Sequence, residues 1–182
     1  MIYRYPGFNP PIAQLHCLAD TPFDLETFKA ACEVIAPFDA RSSDANLWRF
    51  PLDPVGEPRL LVAADEERGQ VDCAILSICR WESSLRMQHD TVDSFEEERS
   101  EFDTIYEEAY AVRIALLGRP ELLGTDEGYR HAVWRGRTGI LVLQQSNYDC
   151  QFGDDINFWI ARWAGGDPQP TSTFIDWLMH LP

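Results

Sequence analysis

The sequence predicts an α+β fold: an antiparallel or mixed sheet of about five to six strands, with a long acidic amphipathic helix and two shorter helices packed on it. Three observations point there. In each half of the chain, strand-like runs follow one another without helices between them, which argues against alternating βα units. One segment, from Val92 to Gly118, instead repeats apolar residues at spacings of three, four and seven. At 182 residues with 45% apolar content, the chain closes one sizeable core and needs no second, so residues 1–182 read as a single domain.

Pro6, Pro10 and Pro11 prevent a regular helix at the N-terminus, and residues 15–19 read as a short strand. Asp24 is placed to cap a first helix, because Leu25, Phe28, Cys32 and Ile35 follow at helical spacing until Pro37 ends the run. Extended segments come next at 47–52, 59–64 and 71–79, each bounded by Pro, Gly or charged turn residues. The last two read as a hairpin closed by residues 65–69, whereas 81–88 fit neither template. Cys73 and Cys79 are expected on one side of their strand, about 20 Å apart and too far to bridge. With Cys17, Cys32 and Cys150 they make an odd number lacking any Cys-x-x-Cys pair, and all five read as reduced thiols, mostly buried.

In the long helix, Phe95, Phe102, Ile105, Tyr106, Ala109, Val112 and Leu116 form one stripe facing the core. Steps of about 100° per residue put Glu96, Glu97, Asp103, Glu107 and Glu108 on the other side. Acid in the first turns complements the positive end of the helix dipole, and Gly118 closes the helix with Pro120 just beyond. Glu98 falls close to the apolar stripe, where it caps a backbone N–H, pairs with an arginine or points into a site; structural pairing is the expectation.

After a polar loop at 124–128, strands are expected at 131–135, 139–145 and 156–163. Ile140, Leu141, Val142 and Leu143 are apolar on both faces, which marks a central strand covered on two sides. The connection at 144–155 is long for a hairpin and mixes Tyr148 and Phe152 with Asp149, Asp154 and Asp155. It reads as a recognition loop, with aromatics as anchors and carboxylates for orientation. In the competing reading, Tyr148 and Phe152 tuck into the core and Asp149 and Asp154 bond to turn amides. Thr171 or Ser172 caps a final short helix at 173–181.

Between Asp90 and Glu108, nine carboxylates face one cation, Arg99, so this window holds just over half of the net charge of −15. Such an excess is solvated, screened or matched by a cationic partner. It disfavours nucleic acid and anionic membrane surfaces as partners. The chain has no long apolar run and no basic leader followed by an apolar one, so a cytoplasmic location is expected. Lys29 is the sole lysine beside fourteen arginines, a bias that a GC-rich genome or a high-salt interior also produces. The high-salt reading requires acid spread evenly over the surface, whereas here the sequence clusters it.

No metal-ligand spacing, phosphate loop or Gly-x-Ser-x-Gly motif is present, and His16, His89, His131 and His180 are scattered, so neither metal nor cofactor is expected. Cys150 is the one thiol in a loop, and a lone loop cysteine is most often incidental. The block HAVWRGRTGILVLQQSNYDCQFGDDINFWIARW at 131–163, followed by TSTFIDWL, resembles the C-terminal part of small bacterial proteins similar to immunity partners of polymorphic or contact-delivered toxins. That resemblance implies a non-catalytic cytoplasmic inhibitor that occludes a toxin's active site, and it maps no catalytic residue. Joined to the charge, it makes a basic protein the expected partner. Glu96, Glu97, Asp103, Glu107 and Glu108 would steer it, and Tyr148, Asp149, Phe152, Asp154 and Asp155 would contact it. The competing readings are a small enzyme using carboxylates or a Cys/His pair, and a scaffold subunit. Oligomeric state is not legible in the sequence.

Overall fold

A computed structural model describes residues 2–4, 12–52, 59–81, 92–126, 128–149 and 153–163. Cys150, Phe152 and the final helix expected at 173–181 lie outside the described residues. Eight strands form one sheet: β1 (Ile2–Arg4), β2 (Leu47–Pro51), β3 (Arg59–Asp65), β4 (Gln70–Trp81), β5 (Leu122–Asp126), β6 (Tyr129–Arg135), β7 (Gly139–Asp149) and β8 (Gly153–Arg162). Among the described residues three helices accompany it: α1 (Ile12–Cys17), α2 (Leu25–Ile35) and α3 (Val92–Leu117).

The strand order is β2-β3-β4-β8-β7-β6-β5, and every pairing is antiparallel. Two meanders, β2-β3-β4 and β5-β6-β7-β8, therefore meet where β4 pairs with β8. Strand β1 pairs with Cys79, Arg80 and Trp81, the end of β4 that β3 leaves free. Helix α3 lies between β4 and β5 in sequence, so it carries the chain from the middle of the sheet to its far edge.

The main core joins the helices to one sheet face, where Phe28, Phe102, Ile105 and Ala109 pack with Trp48, Leu60, Leu76, Leu143, Phe158 and Trp134. The other face carries a smaller buried cluster of Val133, Ile140, Val142, Trp159 and Ala161. Strand β7 contributes Leu141 and Leu143 to the first cluster and Ile140 and Val142 to the second, all at most 3% exposed, so its reading as a strand buried on two sides holds.

The α+β class holds, with more strands than the five or six expected. The additions are β1 and β5, the latter built partly from the expected loop at 124–128. Residues 15–19 are not a strand. Leu15, Leu18 and Ala19 are buried while Cys17 is exposed, a helical spacing that α1 and a 3-10 turn at Leu18–Asp20 satisfy. Cys73 and Cys79 do not share a face either. A register shift between Ser77 and Cys79 inserts an extra residue, so Cys73 packs with the second cluster and Cys79 with the first. The long connection at 144–155 is mostly strand, because β7 runs to Asp149 and β8 begins at Gly153.

Helix α3 ends at Gly118, whose φ of +78° suits a residue without a side chain and whose N–H donates to Ile114 O (2.9 Å). The indole of Trp134 donates to Gly118 O (2.9 Å), fastening the helix end to β6. The apolar stripe turns out differently from the expectation at its C-terminal half. Val112 is half-buried and Leu116 is 49% exposed, whereas Arg113 is fully buried. At about 100° per residue, position 113 continues the line through 102, 106 and 109, and Val112 falls on its flank.

Candidate functional site

The acidic face of α3 divides into two rows. Glu96, Asp103 and Glu107 share the side toward β6, and Glu97, Glu101 and Glu108 share the side toward β1, as the helical period dictates. Each row meets an arginine from the sheet. On the β6 side, Arg130 binds Glu107 through Nη1, stands 3.4 Å from Asp103 Oδ1, and donates through Nη2 to Asp103 O (3.0 Å). Gln145 completes the link, because its Nε2 donates to Asp103 Oδ1 (2.8 Å) and its Oε1 accepts from Arg130 Nε (3.2 Å). Arg99, one turn before Asp103, reaches it at 3.3 Å and donates to Gly128 O (2.8 Å). On the β1 side, Arg4 meets Glu108 at 3.1 Å.

Asp103, Glu107 and Glu108 are therefore matched within the chain, contrary to the expectation that the whole face is presented to a partner. Such exposed pairs contribute only ~0–1 kcal/mol each, yet they cancel the local field. Glu96, Glu97 and Glu101 remain exposed, with no ion pair among the described residues. The arginines were legible in part. Arg130 shares the α3-facing side of β6 with Ala132 and Trp134, and Arg99 precedes Asp103 by one helical turn.

The remaining expected contact residues are distributed as follows. Tyr148 and Asp149 lie at the end of β7, and Asp149 pairs with Gly153; Phe152 lies outside the described residues. Asp154 is only 5% exposed and accepts from Tyr129 Oη (2.9 Å), so it is a buried structural acceptor and not a surface contact. Asp155 is half-buried and stands 3.8 Å from Arg80. Glu98 is paired as expected, although by an indole: Trp81, fully buried, donates Nε1 to Glu98 Oε2 (2.7 Å), tying α3 to β4.

Two shallow grooves flank Arg130 and Glu107. One, of about 470 Å³, runs along the outer side of α3 between Glu96, Arg99, Ser100, Asp103 and Thr104. The other, of about 280 Å³, lies between α3 and β5, with Tyr106 and Tyr110 on one wall and Leu123, Gly124 and Thr125 on the other. The tyrosine rings are nearly parallel with centroids 6.2 Å apart, and Arg130 stacks over Tyr106 at 4.6 Å.

The chain matches no family model, no curated protein and no solved structure. Burial pushes the thiols of Cys32, Cys73 and Cys79 up to about 12, so each stays protonated and is a poor nucleophile at neutral pH. Among the described residues no group of three or more His, Cys, Asp or Glu side chains is arranged to hold a metal ion, and no helix is long and apolar enough to cross a membrane.

Proposed function

We propose that this chain is a non-catalytic binder of a basic protein, acting in the cytoplasm as an immunity protein does when it occludes the active site of its toxin. One observation supports the reading above the rest: Glu96, Glu97 and Glu101 stay exposed and unpaired among the described residues after the chain's arginines have matched Asp103, Glu107 and Glu108. Of the five acids expected to steer, Glu96 and Glu97 keep that role; Glu101, which the sequence pattern did not single out, joins them, and Asp103, Glu107 and Glu108 are matched by Arg99, Arg130 and Arg4. A chain of net charge −15 draws a cationic partner from a distance, and steered association approaches ~10⁸–10⁹ M⁻¹s⁻¹ at low salt. No metal or cofactor enters this function.

The test pairs the protein with the basic product of an adjacent reading frame, by co-purification and then stopped-flow mixing. Replacing Glu96, Glu97 and Glu101 together with lysine should lower the association rate at least tenfold in dilute buffer, and the deficit should shrink as salt is added. An association rate unchanged by those substitutions contradicts the reading.

A further inference from the structure

The two ends of the sheet are finished differently. At the β2 end, the turn that precedes the strand covers its outward backbone: Asp39 N–H donates to Arg49 O (2.9 Å), Asp44 N–H to Leu47 O (3.0 Å), and Arg49 N–H donates to Ser43 Oγ (2.9 Å). Strand β2 also ends in proline, which offers no donor. At the β5 end, the strand pairs with β6 on one side and, among the described residues, nothing pairs with the other. Its five residues include neither lysine nor proline, the residues that commonly guard an edge.

The surroundings of β5 suit an added strand. Leu123 is 61% exposed beside the groove walled by Tyr106 and Tyr110. Gly124 leaves the middle of the strand bare, and it is held as glycine from within: a Cβ there would stand 2.2 Å from Nε2 of His131, its partner across the ladder. A strand laid along this edge gains main-chain hydrogen bonds from β5, and its alternate side chains reach Leu123 and the tyrosine-walled groove.

We infer that the outer edge of β5 with the adjoining α3 groove is the docking site for an extended, basic segment of a partner protein, which adds as a further strand to the sheet. The choice of a basic occupant rests on the reading under Proposed function. Charge selects it over a second copy of this chain, because each copy brings −15 and would be repelled. Docking here also places the segment one groove away from Glu96, since Glu107 and Arg130 border both grooves.

The experiment measures amide hydrogen exchange on the full chain with an acetylated eight-residue peptide of alternating lysine and valine, beside the same peptide with glutamate for lysine. The lysine peptide should slow exchange of β5 amides at least tenfold and leave β2 unchanged, while the glutamate peptide should do nothing. Leu123→Ser, at an exposed position that leaves folding intact, should weaken the lysine peptide by about tenfold, the loss expected from one leucine no longer buried in the complex. Binding of the lysine peptide without protection of β5 overturns the edge site and leaves the basic-partner reading standing. Equal protection by both peptides overturns the choice of a basic occupant, and binding of neither overturns the docking site.

Discussion

The guanidinium of Arg113 is fully buried, stacked 4.4 Å from the Phe158 ring, with Nη1 donating to Ala109 O (2.9 Å) and Nε lacking an acceptor. No carboxylate pairs with it among the described residues. Burial pulls its pKa down from 12.5 to about 10, so it remains charged at neutral pH at a cost that the ring and one carbonyl offset only in part. Because the folded value lies below the unfolded one, that cost is constant below about 10 and is relieved as pH rises toward 12.5. Arg113→Met, which keeps the length and removes the charge, should raise stability by ~1–3 kcal/mol in urea unfolding at pH 7. A loss of similar size would mean that the stacked guanidinium holds α3 to β8. The apolar pattern read from the sequence passed over this position because its residue is charged, and gave the place to Val112 and Leu116. Periodicity locates a stripe; it does not say which of two adjacent residues burial tolerates.

Among the elements, α2 was legible to its first residue and α1 was not. Asp24 caps α2 as its sequence position implies, accepting from Thr27 N–H at 2.9 Å, and that hydrogen bond holds its carboxyl below the usual value of 3.8. A carboxylate with a lowered folded pKa contributes stability that is fully present above its unfolded value and is lost as pH falls through the folded one. Asp24→Ala should therefore lower the urea midpoint at pH 7, and the gap to the native chain should close as pH drops below about 4. A gap that persists at pH 2.5 would show that the carboxylate charge is not what caps the helix. The segment holding α1 follows Pro10 and Pro11, which carry no capping side chain in the sequence, and its apolar residues fit a short strand as well as one helical turn; in the fold, Thr138 Oγ1 anchors the turn after it, 2.7 Å from Thr21 O and 3.0 Å from Ala19 O. The same limit hid β5, whose Leu-Leu-Gly-Thr-Asp has weak strand character and is fixed by its pairing with β6. It also hid the register shift that separates Cys73 from Cys79, since a bulge changes which face a residue takes without leaving a mark in composition.

At the scale of the molecule, the sequence cluster of acid and the surface distribution of acid are different things. Three of the expected helix carboxylates are matched by Arg4, Arg99 and Arg130, whereas Glu26 and Glu33 on α2 and Glu66 and Glu67 in the β3–β4 turn are exposed as well. The pairing arginines come from β1, α3 and β6, two of them far from the acidic segment in sequence, so no window along the chain could reveal the cancellation. The surplus that remains is spread over α2, α3 and the β3–β4 turn, and its mutual repulsion acts through solvent. Raising ionic strength from about 0.01 M to 0.15 M shortens the screening length from ~30 Å to ~8 Å, which removes most of that repulsion. The urea midpoint of the free protein should therefore rise over this interval and then level off. A midpoint that keeps climbing into molar potassium chloride would identify the charge as an adaptation to a salt-rich interior, and the acids of α3 would lose their standing as a steering surface. A plateau near 0.15 M means that the field is strong only where salt is dilute, so the advantage it gives to capturing a basic partner should fade over the same interval of ionic strength.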